Sequence, residues 1–293
     1  MSEAEQASGA RLRAVLAAAE LPSSVRRAWT ERPPTPAPGQ VWRARWGTMT
    51  QLLLVLDAPA RSVRAAPVTL DPDLADNTAV ILPADSTVLT VPLVVWLGDT
   101  MSLPLRVLDR VLGSVTIDLR EVPEARRGRP VLTPADDRAV HRARLQDVLG
   151  VFVAARWAPD GNGNLGDILG KTTSKRVSEA LELSDREVIA LRRGRMGLTP
   201  DQAVRLASVA EESVENLLAA NPRLPDDLVA DLDLPAYRAK VNALAQRRGI
   251  DEVEAWLTAG YSVAGVAHRQ TEGEAPSWRE RLDRYFDAVL DEQ

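Results

Sequence analysis

Apolar positions along the chain change period, from strand-like in its first part to helix-like after it. Val41, Ala44 and Trp46 alternate unevenly over Gln40–Trp46, Gln51–Leu56 is a continuous apolar run, Ser62–Leu70 is β-prone, and Thr78–Leu82, Val88–Val91 and Leu93–Leu97 are further strand candidates. Asp-Ala-Pro, Asp-Pro-Asp and Gly-Asp segments separate them, and that punctuation predicts short strands. Many short strands with tight turns predict a small, strongly curved barrel or sandwich. Leu103–Val111 reads as a helix that plugs it, and Leu112-Gly113-Ser114-Val115 as a last strand. Ahead of the strands, Glu3–Glu20 places Leu12, Val15, Leu16 and Ala19 on one helical face, and Pro22 ends that helix. Between them Glu31–Gly39, ERPPTPAPG, holds four prolines and reads as an extended linker.

The helical period begins at Asp136–Trp157, with Val140, Leu145, Val148, Leu149 and Phe152 on its apolar side. A second linker, Glu121–Thr133, precedes it; its Arg126, Arg127 and Arg129 suit either phosphate contact or plain solvation. Pro235–Arg247, Asp251–Gln270 and Ser277–Leu290 read as three further helices. Ala255, Leu257, Tyr261, Val263, Ala264 and Val266 make the middle one too apolar for a solvated surface, so it is core or the seam of a dimer. Its small residues Gly260, Ala264 and Ala267 permit close helix approach.

The densest local signal is Ser174–Pro200, SKRVSEALELSDREVIALRRGRMGLTP. Ser174 reads as the N-cap of a helix that buries Val177, Ala180 and Leu181, and Glu182-Leu183 as the turn that ends it. Ser184 followed by Glu187 is a capping box that opens a second helix at Asp185. Val188, Ile189 and Leu191 give that helix an inner side; Arg186, Glu187, Ala190 and Arg193 give it an outer one. It ends in Arg192-Arg193-Gly194-Arg195, with Gly194 suited to a left-handed closing residue. Thr199 then caps a third helix with Pro200 at its first position, and Ala203, Val204, Leu206 and Ala207 pack it back.

This segment resembles the Xre/Cro-like, lambda-repressor-like helix-turn-helix family over Leu165–Leu218. Leu191-Arg192-Arg193-Gly194-Arg195 and Leu198-Thr199-Pro200 match its closing motif. Lys175 stands where that family has Gln, Ser178 where it has Ala, and Glu182 where it has the turn Gly. The resemblance implies a DNA reader in which Asp185–Arg193 lies in the major groove. On that reading Arg186 and Glu187 meet base edges, and Lys175, Arg176, Arg192, Arg193 and Arg195 fix register on phosphates, beside the capping residues Ser174 and Ser184. A helical bundle with a solvated arginine run is the plainer alternative.

Pro38–Val115 resembles the PemK/MazF-like barrel of toxin–antitoxin ribonucleases, in Pro38-Gly39-Gln40-Val41-Trp42, Ala66-Pro67-Val68-Thr69, Leu93-Val94-Val95-Trp96 and Leu105–Gly113. Catalytic members carry a Gly-x-x-Arg-Pro turn after the first strand; Gly47-Thr48-Met49-Thr50-Gln51 has neither Arg nor Pro. Thr69 fits the family's threonine, but it supplies no cation, acid or base for phosphoryl transfer. Arg43 and Arg45 share a strand face and are the available substitutes.

Charge sharpens the first resemblance. The chain carries a net −5, yet Lys171–Arg205 holds eight basic residues against five acidic ones, and from Asn221 onward nine face fourteen. A basic island within an acidic protein concentrates phosphate affinity at one place. There are no cysteines and two histidines, His141 and His268, so neither disulfide, thiol chemistry nor a zinc centre is expected. Asp71, Asp73 and Asp76 lack the glycine and terminal glutamate of a calcium loop, and no metal or cofactor is expected there. Trp42, Trp46 and Trp96 fall in strands, as core residues or as a stacking platform for bases. No apolar run is long enough to span a membrane and no secretory signal is evident, which places the chain in the cytoplasm, associated with the nucleoid.

The expectation is an α+β multidomain protein: an N-terminal helix (1–30), a small β-barrel (38–120), a linker (121–133), a helical domain with the helix-turn-helix (134–220), and a C-terminal helical dimerisation region (221–293). Its expected partners are double-stranded DNA, a second copy of itself as a homodimer, and a protein or small molecule at the barrel. It is expected not to be an enzyme; the alternative is an endoribonuclease fused to its own DNA reader.

Overall fold

Two stretches are apolar without alternation, and they decide how the first part of the chain folds. Leu53, Leu54 and Val55 are all buried within strand β2 (Met49–Asp57), as is every residue of the strand Leu93–Trp96. Strands buried on both sides lose the alternating pattern. A computed structural model of the chain describes residues 33–87, 89–115, 137–159, 161, 163–267 and 276–291. The expected helix at Glu3–Glu20 and the linker Glu121–Thr133 lie outside them.

Seven strands form one antiparallel sheet: β1 (Gln40–Trp46), β2, β3 (Ser62–Thr69), β4 (Ala79–Leu82), β5 (Leu93–Trp96), β6 (Met101–Pro104) and β7 (Leu108–Ser114). Their order is β4-β5-β3-β2-β1-β7, with β6 also on β3. The first half of β3 pairs with β6 (Val63↔Leu103) and its last residues with β5 (Val68↔Val95). A 3-10 turn at Leu97–Asp99 lets two successive strands share that edge. One face packs Val41, Leu54, Ala66, Val68, Leu82, Leu93 and Val95 together. On the other, Ala79, Val94 and Trp96 meet Leu145 of helix α1 (Asp137–Val153).

Two sequence expectations fail in this unit. Leu103–Val111 is not a helix but the end of β6, a single 3-10 turn at Leu105–Val107, and the start of β7. Leu105, Val107, Leu108 and Val111 are all buried, and β1 and β3 supply the ladder partners that take this stretch as strands. Nor do the described residues of Val88–Val91 form a strand: Leu89–Val91 turn, with Thr90 at φ 56°. The hydroxyls of Ser86 and Thr87 bond back to Pro83 and to Ala84 and Val91, giving the backbone a local alternative to a ladder.

The chain divides into two compact units, Met1–Ala155 and Arg156–Gln293. Helix α1 therefore belongs with the sheet, not with the helical domain expected from residue 134. A buried ionic cluster fixes it there. The Arg142 guanidinium donates to Asp76 at 2.6 Å and Thr78 at 2.7 Å and lies 3.0 Å from Asp99, to which Gln146 also donates. A Cβ on Gly98 would stand 2.8 Å from that guanidinium, so glycine makes room for it. Asp76 is thus a buried acceptor. Burial alone would raise its pKa; hydrogen bonds from the hydroxyl and amide of Thr78 and from Arg142 outweigh that and hold it below the ordinary carboxylate value.

The second unit is helical: α2 (Leu165–Leu169), α3 (Ser174–Leu181), α4 (Asp185–Arg192), α5 (Pro200–Ala210), α6 (Val214–Ala219), α7 (Asp226–Leu232), α8 (Pro235–Arg248), α9 (Glu252–Ala267) and α10 (Trp278–Asp291). Leu165, Leu169, Val177, Leu181, Val188, Leu191, Leu198, Leu206 and Leu217 form the core of its first half. In its second half Ala255, Trp256, Leu257, Ala259, Tyr261 and Val263 of α9 are buried. Gly260 lets Leu224 and Trp157 press on α9, and Trp157 stacks on Trp256 with ring centroids 5.5 Å apart. Among the described residues no helix is long and apolar enough to cross a membrane. The architecture is α+β: an antiparallel sheet followed by helices.

Arg142→Met leaves two carboxylates buried without their cation, and should lower the stability of the sheet unit by about 3–5 kcal/mol in denaturant unfolding. Because Asp76 titrates lower in the fold than in the unfolded chain, its contribution is present above about pH 4 and is lost as pH falls through the folded value. Asp76→Asn should therefore flatten the acid limb of a stability–pH profile.

Candidate nucleic-acid interface

Thr173, not Ser174, caps α3. Its hydroxyl accepts the Arg176 amide, which makes Ser174 the first helical residue, exposed beside exposed Lys175 and Arg176. The helix seats Val177 and Leu181 and stops at Glu182, whose φ of 54° is left-handed. A non-glycine residue does take the turn, as the sequence requires. The amides of Glu182 and Leu183 both reach the Ser178 carbonyl, and the Ser178 hydroxyl donates to the Leu183 carbonyl at 2.6 Å. Ser178 thus ties a turn that lacks the glycine.

The capping box of α4 forms as expected. The Ser184 hydroxyl accepts the Glu187 amide, while the Glu187 carboxylate accepts the Ser184 amide at 2.8 Å and hydroxyl at 2.7 Å. This engages the carboxylate expected to meet base edges. Val188 and Leu191 are fully buried and set the rotation of the helix. At roughly 100° per residue, Ile189 then lies about 130° from the centre of that pair. Accordingly it is 48% exposed, where the sequence placed it inside. The outward face carries Arg186, Ile189, half-buried Ala190 and Arg193.

Arg192 departs from its expected role as well. It is half-buried and donates to the Thr172 carbonyl, tying the end of α4 to the segment before α3. Gly194, at φ 64°, closes the helix as expected: its amide bonds Leu191 and the Arg195 amide bonds Ala190, the two bonds of a Schellman end. Helix α2 sits against that end, where a Cβ on Gly166 would come within 2.4 Å of the Arg192 carbonyl oxygen. Thr199 and Gln202 form a second capping box at α5, with Ala203 and Leu206 buried. Val204, expected to pack inward, is 60% exposed.

Asn221, to which the sequence gave no role, holds this arrangement from behind. It is 1% exposed; its Oδ1 accepts the Leu198 amide at 2.7 Å and its Nδ2 donates to the Leu198 carbonyl at 2.9 Å. Its own carbonyl accepts the Gly163 amide, so one residue joins the entries to α2 and α5. An asparagine after an apolar helix carries no periodic signature.

In front of this scaffold Lys171, Lys175, Arg176, Arg186, Arg193, Arg195 and Arg205 are exposed. Lys175 lies 3.9 Å from Glu179, both on the open surface, where such a pair contributes little. In the sheet unit the groups expected to serve a phosphate site are engaged. Arg43 donates to Asp109 of β7 at 2.7 Å through Nε, and the Thr69 hydroxyl accepts the Trp96 indole at 3.0 Å. Asp71 caps the next turn by accepting the Asp73 amide, away from the Arg142 cluster that takes Asp76. Among the described residues no group of three His, Asp or Glu could hold a metal ion.

Compared with known proteins, the chain matches no described family and no curated protein. What the geometry offers is an eight-residue helix, capped at both ends, that shows a cationic and apolar face to solvent.

Glu182→Gly removes the left-handed Cβ penalty and should stabilise the helical unit by about 1 kcal/mol, read as a shift in its denaturation midpoint at unchanged slope. A fall in that midpoint would mean that the Glu182 side chain contributes more than its backbone costs.

Proposed function

We propose that the chain is a sequence-specific, DNA-binding transcriptional regulator in which α3, the Glu182-Leu183 turn and α4 act as a helix-turn-helix. The observation that carries this reading is the outward face of α4, where Arg186 and Arg193 project from a helix whose other sides are buried or engaged in caps. A helix held this firmly can enter the major groove without an ordering cost on binding. Arg186, near its N-terminus, suits a guanine edge, and Arg193, Arg195, Lys175 and Arg176 suit phosphates, near the hydroxyls of Ser174 and Ser184. Arg192 and Glu187 support the reader from within. A single helix of this kind gains affinity by pairing, so the protein binds as a homodimer on half-sites about 34–36 Å apart.

In the same reading the sheet is a PemK/MazF-like barrel that serves as a binding module. The Arg43–Asp109 ion pair and the Trp96–Thr69 hydrogen bond support this over the ribonuclease alternative, because both occupy groups a phosphate site would use.

Two substitutions separate base reading from phosphate contact. Arg186→Ala should relax preference at one base pair by about 1–3 kcal/mol, and Arg193→Ala should weaken all duplexes and lower the salt slope of binding by about one. Equal binding by the wild type and the double variant would end the proposal.

A further inference from the structure

The exposed face of α4 is not only cationic. Ile189 stands on it between Arg186 and Arg193, one turn from each, with about half of its surface open to water. Nothing in the second unit's core asks for an isoleucine at that point: the core takes Val188 and Leu191. A β-branched residue also lowers helix propensity relative to the long polar residues usual on an exposed face. The polar neighbour that would otherwise read a base beside Arg186 is withdrawn, because Glu187 holds the Ser184 amide and hydroxyl.

Chemistry at base edges leaves one natural partner for an apolar side chain. In the major groove the C5-methyl of thymine is the apolar group, and the other edges are donors and acceptors. Ile189 lies three residues beyond Arg186, roughly 4.5 Å along the helix axis. Base pairs rise about 3.4 Å, so the two side chains address neighbouring pairs or pairs one step further apart. Resting on the proposed DNA-reading role of α4, we infer that Ile189 is a specificity-determining residue that reads a thymine methyl close to the base pair read by Arg186. Ala190, half-buried on the same face, leaves the space that the methyl needs beside it.

The experiment uses the full chain and the duplex it selects from a random library. Each thymine of that duplex is replaced singly by deoxyuridine, which removes the methyl and nothing else. Burying one such group corresponds to roughly a three- to tenfold change in affinity. The wild type should lose that factor at one thymine near the Arg186-dependent position, whereas Ile189→Ala should bind thymine and uracil duplexes equally. Val204→Ala, which trims an exposed valine on α5 instead, should keep the wild-type discrimination. If Arg186→Ala changes base preference but no uracil substitution is felt, or if Ile189→Ala still discriminates, this inference is overturned alone. Failure to select any duplex, or selection that ignores Arg186, overturns the DNA-reading role with it.

Discussion

The burial of Val188 and Leu191 sets everything that α4 can offer. Two side chains on an eight-residue helix leave one rotation that keeps both dry. That rotation turns Arg192 toward the Thr172 carbonyl and turns Arg186, Ile189 and Arg193 outward. A helix this short is not stable by itself, so its geometry comes from the ends and from the seat. Ser184 and Glu187 fix the first turn, and the Gly194 closure fixes the last.

Helix α1 and the turns behind α4 are anchored with different chemistry. In the sheet unit a helix is located by charge: Arg142 between Asp76 and Asp99, all three nearly inaccessible to water. Such clusters stabilise little compared with apolar packing, yet breaking one partner is costly, which suits fixing a position. In the helical unit a neutral amide does the equivalent, with Asn221 bridging Leu198 and Gly163. A neutral anchor leaves the surrounding field to the surface arginines, and that matters if the surface is to meet phosphate.

Much of the fold could be read from local patterns. The runs at Gln51–Leu56 and Leu93–Leu97 gave strands because burial on both faces removes polar interruptions. Ser184, Glu187, Gly194 and Thr199 gave helix ends because caps are set by nearby backbone donors and acceptors. What was missed depends on distant neighbours. The apolar spacing of Leu103–Val111 fits a helix until β1 and β3 are present to bury it as strands. Ile189 and Val204 fit an inner face by type, and only the packing of Val188, Leu191, Ala203 and Leu206 excludes them. Glu187 satisfied two readings at once, and the cap, being local, holds its carboxylate. Thr173 displaced Ser174 as cap by one residue, the usual error of an end assigned from composition.

On the function proposed, the outward face of α4 is the surface that meets nucleic acid. Amide hydrogen exchange of the full chain, with and without its selected duplex, tests it most directly, because it reports every segment at once. Added protection is expected over Thr173–Arg176 and Ser184–Arg195, with the strands of the sheet unchanged. Protection confined to β1–β3, or none in α4 under saturating duplex, would contradict it.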